Sequence, residues 1–238
     1  MRLAATHALG SLLRMGKPVL TTRDAALRLG QSSPAASRTL ERLAGAGLVL
    51  RVRHGLWSLD TRIDPLLLAE YLTAPYPSYV SLQTALYLHG MLSQVPQVVF
   101  LASLAPTRTV RTGLGRFSIH RLGPRFFGGF DTLDSGVRLA RPEKALLDAL
   151  YLIPARSRLF ARLPELEVPQ TFDRAEAFRW VDRIREGPRR SVVSRRLEAL
   201  LSARRIRGER GRTPKRSRRS SPGTAPPRPI SPRRSGRS

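Results

Sequence analysis

Pro18-Val-Leu-Thr-Thr-Arg-Asp-Ala-Ala-Leu-Arg-Leu-Gly30, Gln31-Ser-Ser-Pro34, Ala35-Ala-Ser-Arg-Thr-Leu-Glu-Arg-Leu-Ala-Gly-Ala-Gly47 and the run Leu48 to Leu59 form one continuous stretch. Its signals agree on helix, turn, helix, hairpin. Thr22 is an N-cap residue type, and Asp24 follows in the first turn, where a carboxylate favours the helix dipole. Ala25, Ala26 and Leu29 give a short inward face, and Gly30 stops the helix. Ser33-Pro34 reads as an N-cap followed by proline at the first helical position, where no amide proton is needed. Ala36, Leu40 and Leu43 then recur at helical spacing, with Arg38 and Arg42 on the opposite side. Gly47 ends this second helix. Leu48 to Arg53 and Leu56 to Leu59 are strand-like and joined at His54-Gly55, a tight hairpin turn. The arrangement predicts a winged helix-turn-helix.

In such a motif the second helix enters the major groove of duplex DNA and its N-terminal residues reach base edges. Gln31, Ser32, Ser33, Ser37 and Arg38 are therefore the candidate base or groove-wall contacts. Arg42, Arg51, Arg53 and His54 are placed for phosphate contacts. The competing reading makes Arg38, Glu41 and Arg42 a solvated face on a protein-interaction module, since fold alone does not fix function.

Charge favours an anionic partner. The 238 residues carry 42 Lys or Arg against 17 Asp or Glu, a formal +25. From Ala203 onward thirteen Lys or Arg meet one acidic residue, a formal +12, so the remainder is basic as well. Cysteine is absent, which excludes disulfides and thiolate metal sites. Leu3 to Leu13 is moderately apolar but interrupted by His7, Gly10 and Ser11, and reads as a first helix, not a signal peptide. No run has the length of a membrane span, and the expected location is cytoplasmic.

Beyond the winged region (1–60) the pattern becomes mixed. Asp64 to Tyr71 reads as a short helix or connector, and Pro75-Tyr-Pro77 as punctuation. Ser81 to Leu92 is a predicted helix with Leu82, Ala85, Leu86 and Leu88 as its apolar positions. Gln97 to Ala102 is a buried-strand run, Thr107 to Leu122 a hairpin turning at Gly113-Leu-Gly115, and Val137 to Ala140 a short strand. Pro142 opens a helix through Tyr151. Asp173 to Glu186 and Ser191 to Ala203 are two more helical segments, separated by Gly187-Pro188. The fold class is α+β: a winged helix-turn-helix, a mixed α/β domain over 64–202, and a tail over 203–238. That tail, nearly all Arg, Ser, Pro and Gly, lacks the apolar surface to offset ordering and is expected to be disordered.

Catalytic signals are sparse. His7, His54, His89 and His120 are scattered, and there is neither a nucleophile elbow nor a phosphate-binding Gly-Lys loop. No catalytic residue, metal or cofactor is expected. Arg141-Pro-Glu-Lys-Ala-Leu-Leu-Asp148 is the one acidic-basic string to weigh. Glu143, Lys144 and Asp148 suit a metal-dependent nuclease or nucleotide-modifying enzyme. The stronger reading is structural or partner-binding: Glu143 sits in a first helical turn, and Lys144 and Asp148, four apart, pair on the helix surface. No acidic residue occurs between Glu70 and Asp131, while Arg108, Arg111, Arg116, Arg121 and Arg125 do. Alternate hairpin positions share a face, so several of these arginines are expected to line one side as a second basic surface for DNA backbone or an acidic protein. The alternative is that they only solvate an exposed sheet.

Taken with Tyr79-Val-Ser81, Ala85-Leu86, His89-Gly90, Val98-Val-Phe100 and Phe126-Phe-Gly128, the string Pro142-Glu143-Lys144-Ala-Leu-Leu-Asp148 resembles the AbiEi-type antitoxins, over about 18–152. The resemblance implies a transcriptional regulator of a type IV toxin–antitoxin system. Its N-terminal domain would bind inverted repeats in its own promoter and repress it. Its C-terminal domain would counter a nucleotidyltransferase-like toxin, without implying a stable complex with it. The arginine-rich tail departs from that family, and stand-alone regulators without a toxin are an alternative.

Overall fold

The computed structural model describes residues 2–152 and 166–210. Its N-terminal unit comprises α1 (Arg2–Leu13), β1 (Val19–Thr21), α2 (Thr22–Leu29), α3 (Ser33–Gly45), β2 (Leu50–Arg53) and β3 (Leu56–Ser58). This is the winged helix-turn-helix. The cap of α2 lies one residue before the expected one. Thr21 Oγ1 accepts from Asp24 N at 3.1 Å, and Thr21 N donates back to the Asp24 carboxylate at 2.8 Å, a reciprocal capping box. Thr22 is freed for another task, accepting from Trp57 Nε1 at 2.9 Å. Gly30 closes α2 at φ 62, a left-handed conformation that costs glycine little. The cap of α3 is likewise Ser32 instead of Ser33, with Pro34 in the first turn.

The three-stranded sheet has the order β1-β3-β2; β1 and β3 are largely buried, while Arg51 and Arg53 of β2 are exposed. Period-two alternation assigns the faces. Leu20 and Trp57, paired across β1 and β3, point to the helices and pack with Leu12, Ala36, Leu40 and Leu43. Val19, Val52 and Leu56 belong instead to the large core of the following region. The wing sheet is thus joined to the rest of the molecule through Val19, Val52 and Leu56, while Arg51, Arg53 and the turn residue His54 stay exposed.

After a 3₁₀ turn at Pro65–Leu68 come α4 (Ala69–Thr73), β4 (Ser78–Val80), α5 (Leu82–Leu88), β5 (Val99–Ser103), β6 (Arg108–Thr112), β7 (Gly115–Arg121), β8 (Phe130–Thr132), β9 (Arg138–Ala140) and α6 (Pro142–Leu152). The six strands form one mixed sheet in the order β6-β7-β5-β4-β9-β8, with β4–β9 and β5–β7 parallel and the other pairs antiparallel. Strands β4 and β8, three residues each, escaped the sequence reading. Helix α5 is shorter than Ser81 to Leu92: His89 caps it and Gly90 turns away, leaving Leu88, an expected core position, 46% exposed.

Two further helices, α7 (Arg174–Asp182) and α8 (Gly187–Arg210), pack on α6. Gly187-Pro188 opens α8 instead of separating two segments, in keeping with proline's tolerance of the first helical turn. The helical backbone then continues to Arg210, into the segment expected to be disordered. The expected tail beyond it, 211–238, lies outside the described residues, as does 153–165.

Candidate nucleic-acid interface

Helix α3 buries Ala36, Thr39, Leu40 and Leu43 and leaves Arg38, Glu41 and Arg42 exposed. Gln31, Ser32 and Ser33 are exposed at its start, and Ser37 is half-buried. A shallow groove is lined by Gln31, Ala35, Arg38, Thr39, Glu41 and Arg42. Within it Thr39, absent from the sequence candidates because its helical position reads as core, organises two of them. Its hydroxyl donates to Gln31 Oε1 at 3.2 Å and accepts from Arg42 Nη2 at 3.3 Å. The Gln31 amide is oriented so that its NH₂ group remains to donate outward. Ser37 donates to Glu41 at 3.2 Å, which places the one carboxylate of this face beside a hydroxyl.

The wing residues Arg51, Arg53 and His54 are all exposed. The Arg51 guanidinium lies 5.6 Å from the Trp57 ring centroid, a cation–π contact that steadies its stem. The turn of the β6–β7 hairpin docks on this wing: Gly113 N donates to Val52 O at 2.9 Å. A Cβ at Gly113 would stand 3.0 Å from Arg51 O, a tight approach to backbone that favours glycine here.

All five arginines of the second basic stretch are exposed, but they do not share one face. In the antiparallel β6–β7 register Arg111 faces Arg116, while Arg108 pairs with Ile119. Alternation puts Arg111 and Arg116 on one side of the hairpin and Arg108 and Arg121 on the other. Arg108 is committed elsewhere, donating to Leu72 O at 2.9 Å. Arg125 lies past the strand, in the loop before β8. The single surface expected from sequence reduces to the Arg111–Arg116 pair, which the docked turn brings beside the wing.

The string at α6 overturns its expected placement. Lys144 and Asp148 do pair, but with no side-chain exposure, inside the core. Asp148 also accepts from Tyr79 Oη at 2.9 Å and Ser81 Oγ at 2.7 Å. The Lys144 ammonium is 4.1 Å from the Phe126 ring centroid, 4.8 Å from Trp180 and 5.6 Å from Tyr79. Burial pushes the lysine down and the carboxyl up, each opposed by the attraction of the other, and burial beside Asp148 lifts the Tyr79 phenol well above its usual range. Glu143, also buried, accepts from Asp173 N at 2.7 Å at the cap of α7. Arg141 reaches Asp131 at 2.9 Å. Each charged residue of the string therefore holds another element to α6. His89 is likewise occupied, its Nε2 2.7 Å from Ala140 O.

Residues 1–55 match the model of the MarR family. The match ends within the wing and covers the helix-turn-helix, and it supports a winged-helix DNA-binding regulator. No curated protein matches the chain. No helix among the described residues is long and apolar enough to cross a membrane, and those residues hold no cluster of three or more His, Asp or Glu suited to a metal ion.

Proposed function

We propose that this protein is a DNA-binding transcriptional repressor of antitoxin type, acting on its own promoter. The observation that carries the reading is the exposed polar face of α3 inside a MarR-type winged domain. Gln31, Ser32, Ser33, Ser37 and Arg38 meet base edges or the groove wall, and Arg42, Arg51, Arg53 and His54 meet phosphates. Arg111 and Arg116 extend the phosphate track. Like charges directly opposite on neighbouring strands repel, and a bound phosphate relieves that repulsion.

The antitoxin role rests on the resemblance of the region after the wing to AbiEi-type proteins. The nuclease alternative is disfavoured by geometry, because Lys144 and Asp148 are sealed inside the core where no substrate phosphate reaches them. Fluorescence anisotropy with the DNA upstream of the gene tests the first part. Tight, salt-sensitive binding that exceeds binding to shuffled DNA of equal length supports it, and equal affinity for both contradicts it. Co-expression with a neighbouring nucleotidyltransferase-like gene tests the second. Growth rescued by this chain supports the antitoxin role, and unrelieved toxicity contradicts it.

A further inference from the structure

Near the C-terminal end of α6 lies a cleft of about 300 Å³. Its walls come from the Gly123–Phe126 loop, from Tyr151 of α6, and from the connection between α7 and α8. Arg125, Arg183 and Arg185 line it against one carboxylate, Glu186. That carboxylate is already engaged, 3.9 Å from Arg189, which in turn donates to Tyr151 Oη at 2.9 Å. Arg183 is held by the Trp180 ring, 4.1 Å from its centroid. Among the described residues Arg125 and Arg185 have no ion-pair partner. The floor is apolar: Phe126 and Ile184 are buried, and Phe126 stacks on Tyr151 at 4.5 Å.

Arg125, Arg183 and Arg185 stand exposed around the cleft, and cations gathered at a concave surface repel one another unless an anion joins them. Guanidinium groups match the oxygens of a phosphate in a planar fork. The volume far exceeds a bare phosphate and falls at the lower bound for small-molecule sites, about 300 Å³. The apolar floor suits an organic portion. We propose that this cleft binds a small phosphate monoester of about mononucleotide size, with Arg125 and Arg185 on the phosphoryl group and the organic part over Phe126 and Ile184. The site is separate from the DNA-facing residues and does not rest on them.

Isothermal titration calorimetry of the full chain at physiological salt tests it, with adenosine monophosphate, ribose 5-phosphate, inorganic phosphate and adenosine as titrants. The two esters bind, adenosine does not, and inorganic phosphate binds more weakly than either ester. The Arg125→Ala/Arg185→Ala double variant weakens ester binding at least tenfold, while Arg38→Ala leaves it unchanged. Absence of ester binding, adenosine as tight as its monophosphate, or an unaffected double variant overturns the proposal. Inorganic phosphate as tight as the esters also overturns it, in favour of a free-anion site. A double variant that loses affinity for DNA, in a chain that binds no ester, reassigns the cleft to DNA backbone.

Discussion

A buried ammonium is tolerable only while its counter-charge is present, and Lys144 is such a group. Removing one partner of a buried pair leaves an uncompensated charge and costs about 3–5 kcal/mol, whereas replacing both is often near neutral. Lys144→Met is therefore expected to lower the unfolding free energy by about that amount in urea titrations. Lys144→Met with Asp148→Asn should recover most of the loss, since asparagine still accepts from Tyr79 and Ser81. A second buried titratable group sets an acid limit. Burial lowers His120 from 6.5 to about 4. The unfolded chain takes up a proton below about 6.5 that the folded chain refuses until about pH 4, so stability rises with pH across that window. The contribution is complete above pH 6.5 and lost as pH falls through 4. Denaturation midpoints for wild type and His120→Gln measure it: the wild type should lose more stability between pH 6.5 and 4 than the variant.

Among the elements, α2 and α3 were the most legible in sequence because their signals are local. Gly30, the Asp24 turn and the Ala36, Leu40, Leu43 stripe act within one or two helical turns. The cap of α2 shifted by a residue because Thr21 and Thr22 offer the same chemistry and a tertiary contact chooses between them, whereas Ser32 caps α3 by backbone conformation, without a side-chain hydrogen bond. Trp57 claims the Thr22 hydroxyl and leaves Thr21 to cap. Thr21→Ala should accordingly cost about 1 kcal/mol in a denaturant titration, and Thr22→Ala should not disturb the cap. Three residues display no period, so β4 and β8 were not legible, and β9, equally short, was legible only from the Asp134-Ser-Gly136 turn before it and the Pro142 helix after it. The pairing of Lys144 with Asp148 was legible from its spacing, but its burial was not. The groups that accept it into the core, Tyr79 and Ser81, lie 69 and 67 residues from Asp148 in the chain. The basic hairpin was legible as a hairpin, whereas the division of its arginines depends on the register of Arg111 with Arg116.

At the scale of the whole molecule, the winged unit is not a tethered module. Val19, Val52 and Leu56 carry the core of the following region into the wing sheet, and Gly113 ties a second hairpin to it. We infer that Arg111 and Arg116, beside the wing, extend its proposed DNA-facing surface. Arg111→Ala with Arg116→Ala should then reduce the salt slope of DNA binding by about one unit for each phosphate left unneutralised, on operator and random DNA alike. An unchanged slope would assign the pair to another partner. Whether α3 reads bases is decided by comparing Arg38→Ala with Arg53→Ala on the upstream DNA and on a shuffled sequence at one salt concentration. Arg38→Ala should lose about 1–3 kcal/mol on the upstream DNA and little on the shuffled one, while Arg53→Ala weakens both equally. Equal losses for Arg38→Ala on the two sequences would contradict base reading by α3.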